Sequence, residues 1–252
     1  MKYGTRILGV ALLLGLFTTG LAAQSTGAGR YDSVVQADVV RQLATRNEFR
    51  NLQAGVEDGI VTLTGSVDLY QQKLDAAKKV RKLAHVQGVR NLIEVGGPAV
   101  TDAQLEAQLD RKLYYDRMGY DNAFNYITVE ARDGVVTLDG ETYSPISSDS
   151  AMAIASNLPG VKDVVNNIAV APVSGFDDGI RRRALSVIYR DPVLSRYAID
   201  PARPIRILVT NGHLRLEGTV ASAMDKQIAG IRAGQIAGVF SVQNNLEVAK
   251  KS

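Results

Sequence analysis

The chain contains no cysteine and no tryptophan, and only two of its 252 residues are histidine, His85 and His213. Without cysteine there are no disulfides, no thiolate metal sites and no cysteine nucleophile. Any histidine chemistry falls to His85 and His213, and neither has the Asp/Glu-x-x-His or His-x-His spacing that would support a metal. Gly-x-Ser-x-Gly and a glycine-rich phosphate loop are both missing, so nucleophilic hydrolysis and nucleotide binding lack support. Positive charge is barely in excess: Lys+Arg 29 against Asp+Glu 26 gives +3, too little by itself to imply nucleic acid. These absences point away from an enzyme, with no cofactor and no metal expected.

What is present is a folded composition, 46% hydrophobic, long enough for two to three small domains. Lys2 and Arg6 precede an apolar run, Ile7 to Phe17, and small residues follow at Gly20 and Ala22. The run is too short for a hydrocarbon core that needs about 20 residues. Residues 1–23 therefore read as a secretory signal peptide, cleaved after Ala22. No cysteine follows it to carry a lipid, and no later stretch approaches 18 apolar residues, so the mature chain is expected to be soluble.

One pattern, Asp/Asn-Gly-apolar-apolar-x-Leu-x-Gly, occurs at Asp58–Gly65 and Asp133–Gly140, and with His213 in the first apolar place at Asn211–Gly218. Its first glycines are 75 and 78 residues apart. Gly-Val marks a second site in each copy: Gly88-Val89, Gly160-Val161 and Gly238-Val239, at intervals of 72 and 78. On that marker the first copy has an ending three residues short. An internal repeat outranks residue-level guesses.

Each copy opens with an amphipathic helix, as in Leu105, Leu109 and Leu113 after the cap Thr101-Asp102. A strand follows at Leu52–Glu57, Tyr126–Ala131 and Ile205–Val209. The Asp/Asn-Gly pair suits a type I′ hairpin, which needs positive φ at both central residues. Gly65, Gly140 and Gly218 are expected to end the second strand. A second helix, clearest at Gln71–Ala84 and Ala223–Ala233, is capped by Gly88, Gly160 and Gly238 before a last, parallel strand. The expected fold is α+β: three tandem αββαβ units, 31–97, 100–172 and 176–249, each a three-stranded mixed sheet with two helices on one face. A unit this small buries only about 60% of its unfolded surface, so the units should dock.

The hairpin motif, the second helix and the endings Gly160-Val161-Lys162-Asp163-Val164-Val165-Asn166-Asn167-Ile168-Ala169-Val170 and Gly238-Val239-Phe240-Ser241-Val242-Gln243-Asn244-Asn245-Leu246-Glu247-Val248 together resemble the BON domain (bacterial OsmY and nodulation). The resemblance implies a periplasmic protein of the cell envelope, linked to osmotic or envelope stress, with phospholipid binding and no catalytic signature. Three features depart from the pattern: the short first ending, Tyr143-Ser144-Pro145 before a short helix, and an insertion from Asp191 to Pro204.

Charge divides unevenly: residues 24–98 carry +2, residues 99–173 carry −6 and residues 174–252 carry +5. The sharpest basic cluster is Arg181, Arg182 and Arg183, extended by Arg190 and Tyr189. Residues about 100° apart on a helix cannot share the stripe of Ile180, Ala184 and Ile188, so the three arginines should fan over the solvent side. They are the candidate contact for an anionic phospholipid surface; the bland alternatives are a solvated helix face or pairing with the acidic second unit. Lys78, Lys79, Arg81 and Lys82 form a second cluster, with Asp75 placed to pair with Lys78 or Lys79. Asp177-Asp178 reads as a cap and first-turn pair. Tyr114, Tyr115 and Tyr120 bring aromatic bulk near Arg111, Lys112 and Arg117, with core and rim as the bland reading; the acidic second unit with Tyr114 and Tyr115 offers the alternative function, a scaffold for envelope proteins; no nucleic acid is expected, and the oligomeric state stays open.

Overall fold

The computed structural model describes residue 27 and residues 29–115, 122–200 and 204–249. Residues 1–23, the expected signal peptide, and Tyr120 lie outside the described residues. The first unit runs α1 (Asp32–Ala44), β1 (Leu52–Glu57), β2 (Ile60–Val67), α2 (Tyr70–Val80), then a last strand in two segments, β3 (Gly88–Asn91) and β4 (Glu94–Val95). The second is α3 (Asp102–Tyr115), β5 (Tyr126–Arg132), β6 (Val135–Thr142), α4 (Pro145–Ser156) and β7 (Asp163–Val170). The third is α5 (Gly175–Tyr189), β8 (Ile205–Thr210), β9 (His213–Val220), α6 (Ala223–Gly234), β10 (Ser241–Asn244) and β11 (Glu247–Val248). The αββαβ order thus occurs three times. α2 stops at Val80, short of the expected Ala84. None of the described helices is long and apolar enough to cross a membrane.

In every unit the second strand is central, antiparallel to the first and parallel to the last. Alternate residues of that strand enter the core: Val61 and Leu63, Val136 and Leu138, Leu214 and Leu216 are buried, while Ile60, Val135 and His213 face out. Positive φ at Asp58-Gly59, Asp133-Gly134 and Asn211-Gly212 gives the expected tight turn. Gly65, Gly140 and Gly218 do not end their strands but lie inside them. Each has φ above +100°, and a Cβ there would collide with the carbonyl oxygen of Asn51, Tyr126 or Pro204 at the start of the adjacent antiparallel strand.

Register corrects the first copy's ending. Gly88, Asp163 and Ser241 sit opposite Ile60, Val135 and His213, the equivalent starts of the three central strands. Gly88 is therefore a strand residue, and nothing is deleted. The left-handed position held by Gly160 and Gly238 is held in the first unit by His85, at φ 63°. His85-Val86 is the true marker, and the intervals from His85 to Gly160 and from Gly160 to Gly238 are then 75 and 78, matching the hairpins. His85 tolerates the conformation with its ring stacked on Tyr31, centroids 3.9 Å apart.

Two further side chains repeat. Asp32, Asp102 and Asp177, in the first turn of each first helix, take both backbone N–H groups of the hairpin turn. Asp177 accepts from Asn211 at 3.0 Å and Gly212 at 2.8 Å. Asp32 and Asp102 do the same for Asp58-Gly59 and Asp133-Gly134. Asn91, Asn166 and Asn244 accept from the N–H two residues on and donate to the second helix, at Lys73 O, Ser148 Oγ and Lys226 O. Each asparagine thereby occupies a strand-edge group that could otherwise pair with another chain.

The units dock unequally. Tyr70, Leu74 and Val95 of the first unit pack into the core of the second. Burial, then the hydrogen bond and charge of Asp163, push the Tyr70 hydroxyl up to about 12. Between the second and third units, Ala123 and Phe124 join the core of the third. Arg206 lies 4.2 Å over the Tyr114 ring and donates to Asn122 O at 2.6 Å. Arg215 pairs with Glu141 at 3.1 Å. β8 is buried on both faces as a result. The basic third unit is held against the acidic second one.

Candidate functional site

The four arginines singled out from sequence do not act together. Arg181 is 3% exposed, not on the solvent side. Its guanidinium pairs with Asp178 at 2.7 Å, donates to Val209 O and lies 5.0 Å from the Tyr143 ring centroid. It does for its unit what Gln36 does with Ala54 O and Glu106 with the N–H of Ala131: it ties the first helix to the outer strand. Tyr189 is buried too, its hydroxyl donating to Ile205 O at 2.6 Å. The helix periodicity explains both: the core spans Ile180, Ala184 and Ile188, and residues 181 and 189 flank that stripe on the side where other parts of the fold cover it.

Arg182, Arg183 and Arg190 remain exposed. Arg183 bridges toward the end of α6, donating to Ala237 O at 3.1 Å. Phe176 and Val187 lie seven residues before and four after Arg183, on the same flank of α5. Phe176, 50% exposed, stacks against Phe240, 70% exposed, with centroids 5.7 Å apart. His213 meets Phe240 edge-on at 6.1 Å and its Nδ1 lies 2.7 Å from Ser241 Oγ. The face therefore sets two solvent-facing aromatic rings beside one cation, Arg183, which with Phe176 lies against Gly238; Arg182 and Arg190 are exposed elsewhere along α5. Exposed phenylalanines in contact with each other are the informative kind of surface apolar residue.

That face belongs to the third unit alone. Phe240 stands where the first two units have Gln87 and Lys162: all three N–H groups bond the hairpin glycine carbonyl, at Gly212, Gly59 and Gly134. Along the second helix, Met224, Ile228 and Ile231 replace Ile146, Ser150 and Ala153 of the second unit and Gln71, Asp75 and Lys78 of the first. Met224 is 63% and Ile231 54% exposed. Sequence reasoning missed Phe176, Phe240 and this stripe; an alignment of the repeats on His85 rather than Gly88 contains the signal.

Other candidates resolve into structure. Asp75 accepts from Gln71 at 3.0 Å, and no pairing with Lys78 or Lys79 is seen. Ser174, not Asp177 or Asp178, caps α5. Tyr114 bonds the backbone of Ile127 through its hydroxyl and carries Arg206 on its ring. Among the described residues, no group of three or more His, Asp or Glu could hold a metal.

The insertion in the third unit is built in rather than appended. Leu194 is in the core. Asp191 accepts from the N–H groups of Val193 at 2.8 Å and Leu194 at 3.2 Å and from Arg232 at 2.7 Å. Asp225 accepts from Tyr197 at 2.6 Å and from Arg196. Burial pushes both carboxyls up, but the hydrogen bonds and arginine charges outweigh it and hold both below the usual carboxylate range.

Comparison with known proteins agrees with the repeat. The chain is 28% identical over 150 residues to Osmotically-inducible protein Y of Escherichia coli (strain K12), covering 54% of this chain and 71% of that protein. It is 27% identical over 143 residues to an uncharacterized protein in the gshII 5'region of Anaplasma centrale, covering 54% of this chain and 93% of the relative. Among solved structures, CdsD of the Chlamydia trachomatis type III secretion system matches 84% of this chain and 94% of its own at 16% identity, with a TM-score of 0.25, too loose a superposition to bear on fold or function. The BON domain profile matches residues 31–97, 101–172 and 177–250, most of the chain, and the protein belongs to the BON domain family.

Proposed function

We propose that this is a non-enzymatic periplasmic protein of the cell envelope, linked to osmotic or envelope stress, that binds anionic phospholipid surfaces weakly and reversibly through its third unit. The relative named for osmotic induction supports the setting. The observation that carries the binding is the Phe176–Phe240 pair, exposed beside Arg183, with Arg182 and Arg190 exposed on the same helix. Near an anionic membrane each arginine contributes on the order of 1 kcal/mol, and the three together about 3 kcal/mol. Salt shortens the reach of that attraction to about 10 Å at 0.1 M. Burying an aromatic ring fully is worth about 1.5–3 kcal/mol, and these rings have roughly half of that left to gain. Such a sum gives weak binding, reversible by ionic strength. Of the two tyrosines of the scaffold alternative, Tyr114 is engaged inside the protein while Tyr115 stays exposed.

Co-sedimentation with phosphatidylglycerol and with phosphatidylcholine vesicles tests the reading. Binding should be confined to phosphatidylglycerol, fade with salt and be lost on combining Arg182→Glu, Arg183→Glu and Arg190→Glu. Equal binding to both lipids, or binding that survives high salt and the triple change, refutes it. A defined envelope protein adduct in cross-linking, without vesicle affinity, would favour the scaffold.

A further inference from the structure

A cleft of about 700 Å³ lies between the second and third units, within the size range of small-ligand sites. The end of α3 and the outer strand β5 form one wall, and β8, β9 and the last strand of the third unit form the other. Three of its features are incompletely matched within the protein.

The first is Arg206, a buried cation without a paired carboxylate. It is 4% exposed, donates to Asn122 O and lies over the Tyr114 ring, yet among the described residues no carboxylate comes within ion-pair distance of it. The other buried arginine, Arg181, has Asp178. Buried charges are normally paired, because desolvating a lone charge is costly. Burial accordingly holds the Arg206 pKa below its usual value, against the attraction of Asp200. The cleft's second cation, Arg111, is exposed and also has no ion-pair partner among the described residues.

The second is a piece of open strand edge. The outward backbone groups of β5 belong to Ile127, Val129 and Ala131 in turn. Tyr114 Oη takes both groups of Ile127, and Glu106 takes the N–H of Ala131. Among the described residues no side chain takes either group of Val129, whereas the equivalent Ala54 O of the first unit accepts from Gln36. The third is negative charge. Asp110 and Glu247 line the cleft without a partner among the described residues, and so does the Tyr126 hydroxyl. A carboxylate for Arg206, an extended backbone for Val129 and an ammonium for Asp110 and Glu247 occur together in one class of molecule.

We propose that this cleft binds a short peptide with free ends, its backbone paired to β5 at Val129, its terminal carboxylate on Arg206 and its terminal ammonium among the carboxylates. Tyr126, Ile127, Thr128 and Val129 line the cleft in succession, so the paired stretch spans roughly 13 Å, about four residues. The inference stands apart from the membrane contact of the third unit and shares no residue with it.

Tetraalanine, its C-terminal amide and its N-acetyl form test the site when each is titrated into the full mature chain and followed by NMR. Saturable binding of tetraalanine is expected. The amide should bind about tenfold more weakly, as loss of a hydrogen bond between charged groups implies, and the N-acetyl form should bind more weakly as well. The Val129 amide should gain protection from exchange at saturation. Arg206→Gln should bind the acid and the amide alike, a loss of discrimination that looser docking of the units does not produce. Glu247→Gln, at an exposed position, should narrow the gap between tetraalanine and its N-acetyl form. No saturable binding at millimolar tetraalanine overturns the proposal. Equal binding of acid and amide by the wild-type chain overturns it too, and needs no variant to fold. Preference for the acid retained in Arg206→Gln removes Arg206 from its assigned place, and a Val129 amide that exchanges equally with and without peptide overturns the strand pairing.

Discussion

Replacing Asp177 by alanine removes the carboxylate that joins α5 to the third hairpin. Its carboxylate accepts from Asn211 and Gly212, and the Gly212 N–H is buried. Hydrogen bonds to a charged group contribute about 1.5–3 kcal/mol each, and a buried donor left without a partner loses about 1–3 kcal/mol. The carboxylate also sits in the first turn of α5, where the helix dipole adds about 0.3–1 kcal/mol. Allowing for overlap among these terms, Asp177→Ala should cost the third unit about 3 kcal/mol. That is a large share of a small domain's stability, about 5–15 kcal/mol. Asp177→Asn keeps one acceptor oxygen and sets an amide N–H₂ against the other donor, so it should cost nearly as much. Asp38→Ala, which removes only an exposed pair with Arg41, should stay within about 0.5 kcal/mol. Urea unfolding gives the totals, and residue-resolved hydrogen exchange reports the Gly212 amide. If Asp177→Ala costs under about 0.5 kcal/mol and leaves Gly212 protected, the assigned role of this aspartate in the repeat is wrong.

Arg181→Met should loosen the junction of the second and third units, lowering the melting temperature, while phosphatidylglycerol binding of the folded protein stays within twofold; a selective loss of lipid binding would return Arg181 to the contact face. Gly140→Ala should cost more than about 3 kcal/mol, because φ is +120° and the methyl group meets a backbone oxygen that cannot move without breaking the β5–β6 pairing; a well-folded variant of near-native melting temperature would contradict that. Asp191 and Asp225 are held below the ordinary carboxylate value, near 4. Their stabilisation is complete above that value and is lost as pH falls through their folded values. Melting temperature should therefore drop on acidification below about pH 4, and the double change Asp191→Asn with Asp225→Asn should remove that part of the slope.

Sequence periodicity revealed the repeat unit because the hairpin carries it in backbone terms. Asp-Gly and Asn-Gly are among the few pairs that accept positive φ twice in succession, so they stand out in any single copy. The same logic misled at Gly88. A glycine beside a valine matched the Gly-Val marker, but the backbone requirement is a left-handed residue, and His85 meets it with a stacked ring in place of glycine's freedom. Arg181 was misplaced because helix geometry separates core from flank and does not say what covers the flank; Tyr143, from another unit, covers it. Asp177 looked like a helix cap because its partners lie 34 and 35 residues away, on a turn that local reasoning does not connect to the helix. Phe176 and Phe240 were each unremarkable in sequence, since isolated surface aromatics are common. Only the fold brings them face to face.

The absence of tryptophan makes the most direct test of the membrane-contact face simple, because Phe240→Trp introduces a single tryptophan, which can be excited apart from the tyrosines, at its most exposed ring. On titration with phosphatidylglycerol vesicles at low salt its emission should shift to the blue and be quenched by brominated acyl chains, while Leu92→Trp in the first unit reports no change. An emission from position 240 that stays at its aqueous wavelength while the protein sediments with the vesicles would show that the protein binds by another face.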